Sequence, residues 1–471
     1  MNDRIVIKYF GMLFFLFMLI FAIFFANERI IHSDAAFYLF KLINFEHFNI
    51  EHGRYSAFIS QLFILPFIKF GLSLKGLIFI YSVSFVVLFY LVFLLLNHAF
   101  KNEAAALTLL MVLVVGLAHP MYRPVSESTQ GIVYSLILAG ILWHPEFSQV
   151  KNKDRRLRFI FSILIILLCF FSHPITLFPL VFLIGFYLLD KKEFRSFLPL
   201  SLLLIILILY GVKSVLGGGS GYEEEKLSQL AEIKQNLLNF TEIYSTQYVR
   251  KRITNTYFIP LALLFLLNLF YLMEKKWLKL LLVDGFCIGF FIIHNLIFLQ
   301  GSDIELEKNF MVANFFIFFA FAKDLYPWSR GHILKALFLM VILGWSVKIV
   351  LEPKQMYFDR IEYYENLNTY LQQQKGSKFY TSEDQINESK ILYMWGVGFE
   401  SLIMSSLDGP QYSKTLYPFK DTSDLPEYIE DPDLYLCVFF WPQWNIHELN
   451  EKYFKLPQQK YIEIELPEEM H

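Results

Sequence analysis

Residues 12–38 have the sequence MLFFLFMLIFAIFFANERIIHSDAAFY, an apolar run that ends in a short charged stretch. The run extends back to about residue 8, so it matches the roughly 20 residues that a helix needs to cross a bilayer. Backbone groups in hydrocarbon must be hydrogen-bonded within the chain, which makes a helix the expected structure. A signal peptide would look similar, but no convincing cleavage site follows the run. We therefore interpret it as a retained transmembrane helix.

The rest of the chain repeats this pattern. Of its 471 residues, 56% are hydrophobic and 18% are charged, and Phe occurs 52 times. Further apolar runs lie near residues 77–98, 104–118, 128–143, 159–172, 175–189, 197–216, 257–273, 279–299, 310–322 and 333–351. This pattern predicts an α-helical polytopic membrane protein with about eleven transmembrane helices. The net charge of −2 lacks a basic excess, so nucleic acid is not expected as a partner.

The apolar stretch 57–72 decides the orientation, because it adds or removes one crossing. It contains a proline, a lysine and a glycine. If it lies in the interface, the amino terminus and the basic loops, including residues 151–158, all face the cytoplasm, as the positive-inside rule requires. If it spans, residues 151–158 fall on the other side from the basic amino terminus. We therefore predict that it lies along the membrane, and that it forms with residues 35–45 two juxtamembrane helices in the first outer loop.

The chain becomes aqueous in character after residue 351. Predicted helices at 358–374, 395–407 and 445–454 alternate with predicted strands at 378–382, 433–440 and 461–467. Such alternation favours a small α/β domain. We therefore divide the chain into a transmembrane domain, 1–351, and an extracytoplasmic α/β domain, 352–471. The Lys-, Asn-, Ile- and Phe-rich composition of the whole chain and its lack of a disulfide framework favour a bacterial inner membrane.

Two short motifs stand in the first outer loop: HSDAAFY at 32–38 and HGRYSAF at 52–58. With the predicted architecture, they resemble the type C glycosyltransferases, a family that includes protein O-mannosyltransferases, lipid A aminoarabinose transferases and oligosaccharyltransferase catalytic subunits. The resemblance implies an enzyme that moves a hexosyl or pentosyl group from a polyprenyl-phosphate-linked sugar to a lipid, glycan or protein acceptor. The transfer would occur on the outer face of the membrane, in contact with membrane lipids of the cell envelope.

The same resemblance makes Asp34 the acid of the first outer loop and Glu127 a second acidic site residue. A carboxylate there could accept the acceptor's proton or hold a metal near it. Each residue also has a plainer interpretation. Ser33 or Asp34 could cap the helix that follows, and Glu127 could be a carboxylate favoured by the positive end of a helix dipole.

Substrate contacts are predicted at basic residues of the outer loops: His32, Arg54, His119, Arg123, His173 and Lys308. A departing phosphate needs cations, and the guanidinium fork suits it. Arg54 could instead extend to lipid headgroups. For Lys308, in GSDIELEKNF (301–310), a solvated charged loop is the plainer interpretation. The histidines could be ordinary loop residues.

The need for a metal stays open at this stage. Mg²⁺ or Mn²⁺ could serve if Asp34 and Glu127 meet in space, but neither has a second carboxylate beside it in the sequence. Two other functions also remain. A transporter or flippase usually places charges near the middle of the bilayer, often in related halves, and no repeat is visible here. A membrane scaffold would explain the carboxy-terminal domain but not the polar cluster on the outer face.

Overall fold

The computed structural model describes residues 3–144, 152–215, 233–328, 331–420, 426–437 and 444–470. Within these ranges the chain is a helical membrane protein, with six helical stretches long and apolar enough to cross a bilayer. They are Asp3–Phe24, Leu74–Ala99, Pro174–Lys191, Trp277–Ile297, Asp303–Trp328 and His332–Gln373. Four shorter apolar helices are Glu103–Val112, Glu127–Leu142, Phe197–Lys213 and Phe258–Met273.

We number the helices in chain order. The first eleven are α1 (Asp3–Phe24), α2 (Ala26–Ile30), α3 (Ser33–Phe45), α4 (Phe58–Gln61), α5 (Leu65–Lys69), α6 (Leu74–Leu94), α7 (Glu103–Val112), α8 (Glu127–Leu142), α9 (Asn152–Phe170), α10 (Leu177–Lys191) and α11 (Phe197–Val215). The next eight are α12 (Ile233–Leu238), α13 (Tyr244–Arg252), α14 (Phe258–Met273), α15 (Trp277–Ile297), α16 (Asp303–Ala320), α17 (Tyr326–Trp328), α18 (His332–Leu351) and α19 (Lys354–Gln373).

Helix α1 forms from the apolar run that opened the sequence, and it packs against α6, α7 and α18. Its aromatic side chains interlock with those of α6: the ring of Phe15 lies 5.6 Å from that of Phe93 and 5.1 Å from that of Tyr90. Gly11 permits this approach, because a Cβ atom there would lie 2.2 Å from the Phe93 ring. Close packing of this kind supplies much of the attraction between helices in lipid.

An ion pair joins the starts of α1 and α18: Lys335 Nζ lies 2.6 Å from Asp3 Oδ2. Both helices then run the length of the bundle. The end of α1, which leads into residues 26–73 (the predicted first outer loop), and the end of α18, which leads into the carboxy-terminal residues, therefore lie together at the opposite end.

The predicted span 104–118 is shorter than expected. Helix α7 ends at Val112 after ten residues, about 15 Å of helix, half of what a bilayer core requires. Gly116 then adopts a φ of +77°. Irregular backbone at such depth must be satisfied by protein groups, and here Asn314 donates to the Val115 carbonyl at 3.3 Å. The chain therefore leaves the helix at a point that is buried in protein.

The first outer loop contains the helix α3, but the second predicted juxtamembrane helix is not continuous. Residues 57–72 contain the short helices α4 and α5, of four and five residues, and neither is long enough to cross a bilayer. Pro66 stands at the start of α5, where its missing N–H costs nothing, and Gly71 turns the chain with a φ of +75°.

Helix α3 is buried on almost every side, although the sequence predicted an interfacial helix. Residues 35–43 are all buried. Residues near the carboxy terminus cover them: the ring of Phe37 lies 5.7 Å from that of Phe399, and the ring of Phe40 lies 5.3 Å from that of Trp444. The apolar face that suggested lipid contact is therefore a contact with protein.

The residues after Leu351, which we call the C-terminal segment, contain a small parallel sheet. Its strands are β1 (Lys378–Ser382), β2 (Thr415–Phe419) and β5 (Ile462–Glu463), in the order β2-β1-β5, with Phe379 paired to both Leu416 and Ile462. A second pair, β3 (Leu434–Tyr435) and β4 (Trp444–Asn445), is antiparallel. Three further helices complete it: α20 (Glu388–Ile391), α21 (Val397–Ser405) and α22 (Pro426–Ile429).

Several sequence predictions for the C-terminal segment match these elements, and one is wrong. The strand predicted at 378–382 is β1, and the helices predicted at 358–374 and 395–407 correspond to α19 and α21. The helix predicted at 445–454 is only a three-residue turn, Ile446–Glu448, which Asn445 caps through a bond from the His447 N–H and which ends where the backbone becomes extended at Leu449. Of the strand predicted at 433–440, residues 438–440 lie outside the described residues.

Candidate functional site at the first outer loop

The turn His32-Ser33-Asp34 begins helix α3. His32 is the residue before the helix, and it makes no side-chain capping bond. Ser33 has a φ of +32°, a conformation that residues other than glycine rarely adopt. Asp34 lies in the first turn of the helix. The capping alternative for Ser33 and Asp34 is therefore wrong.

Asp34 forms an ion pair with Arg123, whose Nη2 lies 3.1 Å from Asp34 Oδ2. The Arg123 side chain is 7% exposed and that of Asp34 is 45% exposed, so the carboxylate is partly open to solvent while its partner is buried. Arg123 also donates to the Tyr393 hydroxyl at 3.0 Å and lies over its ring, 5.1 Å from the centroid. These contacts fix the guanidinium beside Asp34.

Glu127 is buried and holds a second ion pair. Arg54 Nη1 lies 3.3 Å from Glu127 Oε2, and the Tyr38 hydroxyl donates to Oε1 at 2.7 Å. Glu127 is also the first residue of α8, after the capping Ser126, so the helix dipole favours its charge, as the plainer interpretation supposed. Arg54 points to this carboxylate instead of extending to headgroups.

Asp34 and Glu127 belong to one site. Tyr38 stands one helical turn after Asp34 on α3, and its hydroxyl lies 2.7 Å from Glu127. Residues four apart on a helix are about 6 Å apart. The two carboxylates are therefore well within the roughly two helix diameters that a shared cavity allows.

Lys308 lies buried in α16 and is 8% exposed, so the solvated loop suggested for this stretch is wrong. The helix begins at Asp303 and carries Lys308 inward in its second turn. Its Nζ donates to the Val125 carbonyl at 3.5 Å, and Asp34, Glu127 and Arg123 all lie close enough to act on its charge. Lys308 thus adds a buried amine to the site, with no ion pair among the described residues.

Glu307, beside Lys308, is fully buried, and it fixes the second outer loop. Its Oε2 accepts the backbone N–H groups of Ala118 and His119 at 2.8 and 2.9 Å, and its Oε1 accepts the Tyr248 hydroxyl at 3.0 Å. These bonds satisfy the backbone where the chain has left α7. They hold the loop that carries Arg123.

Two of the three predicted histidines lie near the ion pair of Asp34. His32 is 1% exposed; its Nδ1 contacts Ser33 Oγ at 2.8 Å, and its Nε2 is buried with no hydrogen-bond partner among the described residues. His119 Nδ1 lies 3.2 Å from the Tyr357 hydroxyl. Burial lowers the pKa of both imidazoles, and nearby Arg360 and Arg123 lower that of His32 further. Both are therefore neutral at physiological pH.

His173 stabilises the turn that follows it. Its Nδ1 accepts the backbone N–H of Ile175 at 3.2 Å, which caps the turn Pro174–Thr176. Burial lowers its pKa too, with Arg54 a further cause. The structure therefore places His173 toward the Arg54 side of the site and gives it a structural bond.

The residues do not fit a tightly bound Mg²⁺ or Mn²⁺. Such ions take several carboxylate or carbonyl oxygens at once, whereas Asp34 and Glu127 are each paired with a guanidinium. Within the described part of the chain, no three His, Cys, Asp or Glu side chains gather as a metal site would require.

The site holds more basic side chains than acidic ones. The carboxylates are Asp34 and Glu127, and the basic groups are Arg54, Arg123 and Lys308. Lys308 has no carboxylate partner among the described residues, so a bound anion would stabilise its charged form. A buried cation is costly unless it is paired, so the cluster favours an anionic ligand.

Sequence reasoning missed Tyr38, Tyr393 and Glu307. Tyr38 could have been found, because it stands four residues after Asp34 and therefore on the same helix face. Tyr393 lies in the C-terminal segment, far from Arg123 in the sequence, and no local signal marks it. Glu307 lies in GSDIELEKNF (301–310), a stretch whose charges suggested a solvated loop.

Comparisons with known proteins give no further guide: no family model matches the chain, nor does any curated protein or solved structure.

Proposed function

We propose that this protein is a membrane glycosyltransferase that takes a sugar from a polyprenyl-phosphate donor and gives it to a lipid, glycan or protein acceptor. One observation carries the proposal. A half-exposed carboxylate, Asp34, is held by a buried arginine, Arg123, next to a buried lysine, Lys308, that has no ion pair among the described residues. Transfer of a sugar from a phosphate ester to a hydroxyl requires a general base for the hydroxyl proton and positive charge beside the departing phosphate.

Each group has a role in this scheme. The acceptor hydroxyl attacks the anomeric carbon and forms the new C–O bond, while Asp34 takes its proton. The bond from the anomeric carbon to the phosphate oxygen breaks, and the electron pair leaves with the lipid phosphate. Arg123 and Lys308 stabilise the negative charge that gathers on that oxygen. Glu127 holds Arg54 in place, with Tyr38 as its second partner.

The proposal includes a topology. About eleven helices cross a bacterial inner membrane, the amino terminus lies in the cytoplasm, and residues 352–471 form an α/β domain outside it. The basic loops support this orientation, and the ion pair between Asp3 and Lys335 supports placing the site and the C-terminal segment at one end. The donor lipid could then stay in the outer leaflet, with its phosphate at headgroup level.

Asp34→Asn tests the proposal, because it removes the charge and keeps the size. A strain lacking this protein is complemented with wild type or variant, and its surface lipids and glycans are compared by mass spectrometry. We expect wild type to restore a sugar and Asp34→Asn, at equal expression, to lower it at least about a hundredfold, the usual value of a general base. Asp408→Asn is the control, since Asp408 forms an exposed ion pair with Lys75.

If Asp34→Asn restores the sugar as well as Asp408→Asn does, Asp34 is not the base and the proposal fails. If wild type changes no surface sugar but alters the distribution of a lipid-linked substrate between the leaflets, the protein is a transporter or flippase.

A further inference from the structure

Glu400 is a buried carboxylate that the proposed reaction does not use. It lies on α21 in the C-terminal segment and is 0% exposed. One of its oxygens accepts a hydrogen bond from the backbone N–H of Ser33, 367 positions earlier in the chain. The other accepts the Tyr364 hydroxyl and pairs with Arg360.

Arg360 holds the other side of the same turn. Its side chain is 2% exposed, and its Nη1 donates to the carbonyl of Ile31, while its Nε donates to the carbonyl of Ile391 at 3.0 Å. The Arg360–Glu400 pair therefore binds the backbone on both sides of His32. The contacts with Ser33 and Ile31 join the C-terminal segment to the first outer loop.

The turn needs such support for two reasons. The first N–H groups of a helix have no partner within it, and α3 obtains none from a capping side chain of its own. Ser33 also holds a positive φ, which a residue with a Cβ keeps only where its surroundings impose it. A carboxylate at a helix amino terminus is favoured by the helix dipole as well.

We propose that Glu400 is a positioning residue of the site: acting from the C-terminal segment, it caps α3 through Ser33 and so keeps Asp34 against Arg123. Tyr393 extends the same arrangement, since its hydroxyl bonds both Arg123 and Ser302 at 3.0 Å. The capping of α3 by Glu400 does not depend on the proposed function, whereas its effect on sugar transfer rests on that function.

Two double variants isolate the capping bond. Arg360→Met with Glu400→Gln removes both charges and keeps an oxygen that can accept the Ser33 N–H. Arg360→Met with Glu400→Ala removes the same charges and the oxygen too. Because Arg360 is absent from both, the buried charge left by a single substitution does not arise.

Hydrogen–deuterium exchange is measured on the full-length protein in detergent, for peptides covering residues 31–36. We expect exchange about tenfold faster in the alanine double variant than in the glutamine double variant, because both lose the Arg360 bond to Ile31 and only the alanine variant also loses the acceptor of the Ser33 N–H. Peptides covering β1 should be unchanged in both. Equal exchange of residues 31–36 in the two double variants would overturn the proposal.

If the β1 peptides lose protection in either double variant, Glu400→Asp replaces them. It keeps the charge for Arg360 but withdraws the oxygen from Ser33 by about one bond length, 1.5 Å. Faster exchange of residues 31–36 is again expected, and unchanged exchange overturns the proposal.

Sugar transfer in the complemented strain gives the second measurement. The glutamine double variant should retain transfer and the alanine double variant should lose it, and the reverse order contradicts the positioning role. If exchange responds as expected while Asp34→Asn stays fully active, the proposed function fails and the capping by Glu400 stands.

Discussion

At the scale of single residues, the electrostatics of the site depend on how deeply each ionisable side chain is buried and on its partners. Arg123 and Lys308 are almost completely buried, yet of the two only Arg123 has a carboxylate partner within the described part of the chain. His32 is buried just as deeply and stays neutral. Because a buried ion is costly without a partner of opposite charge, binding of an anion would stabilise the cluster. The donor phosphate in our proposal would satisfy it.

His32 should make the protein less stable in acid. Its pKa is lowered by burial in the folded state, whereas an unfolded histidine binds a proton near pH 6.5. As the pH falls below about 6.5, the unfolded state gains a proton that the folded state does not, and folding loses up to about 1.4 kcal/mol for each pH unit. The loss continues until the pH reaches the lowered pKa.

Thermal unfolding in detergent between pH 7 and pH 5 checks this prediction. His32→Asn keeps an amide near the position of Nδ1, which bonds Ser33, and we expect its unfolding midpoint to fall less steeply than that of wild type. His47→Asn is the control, because His47 is exposed. If all three proteins show the same slope, burial of His32 does not contribute.

At the scale of elements, the break after α7 shapes the site. A continuous helix over 104–118 would carry the chain straight to the surface, whereas the irregular backbone after Val112 turns inward and meets Glu307. Gly116 makes the turn possible with its positive φ. The loop that follows brings Arg123 to Asp34.

Gly116→Ala should therefore destabilise the protein by about 1–3 kcal/mol, because alanine tolerates this φ poorly. Its Cβ would also lie 2.8 Å from Asn314 Nδ2 and 3.0 Å from Pro260 Cγ. Gly344→Ala in α18 is the matched control: its Cβ meets nothing within 4 Å, and alanine favours a helix by up to about 1 kcal/mol. Denaturation in detergent measures both, and equal midpoints would contradict the role of Gly116.

At the scale of the whole molecule, the C-terminal segment is part of the site rather than an appendage. It covers α3 with aromatic rings, supplies Tyr393 to Arg123 and supplies Glu400 to Ser33. These contacts require the segment to lie at the same end of the bundle as the first outer loop.

Alkaline phosphatase fusions test the side on which that end lies. We expect a fusion after His471 to be active, because the segment is proposed to lie outside the cytoplasmic membrane, and a fusion after Lys101 to be inactive. Both fusions should express equally by immunoblot. An inactive fusion at His471 with an active one at Lys101 would invert the proposed orientation, and with it the face on which the donor binds.

The sequence by itself determined the class of the protein and most of its elements. Apolar runs of bilayer length become helices because the backbone must satisfy itself in lipid, and the short strand 378–382 was clear from its own composition. The outer-loop residues were also visible, since charges beside apolar runs are rare and stand out.

Tertiary structure alone decided where helix α7 ends, that α3 is buried in protein, and which groups complete the site. Those outcomes depend on contacts between residues far apart in the chain: Glu307 with Ala118, Phe37 with Phe399, Glu400 with Ser33. An apolar face looks the same in the sequence whether lipid or protein covers it. A buried carboxylate looks the same as a solvated one until its partners are in place, because hydrogen bonding and burial are properties of the folded chain.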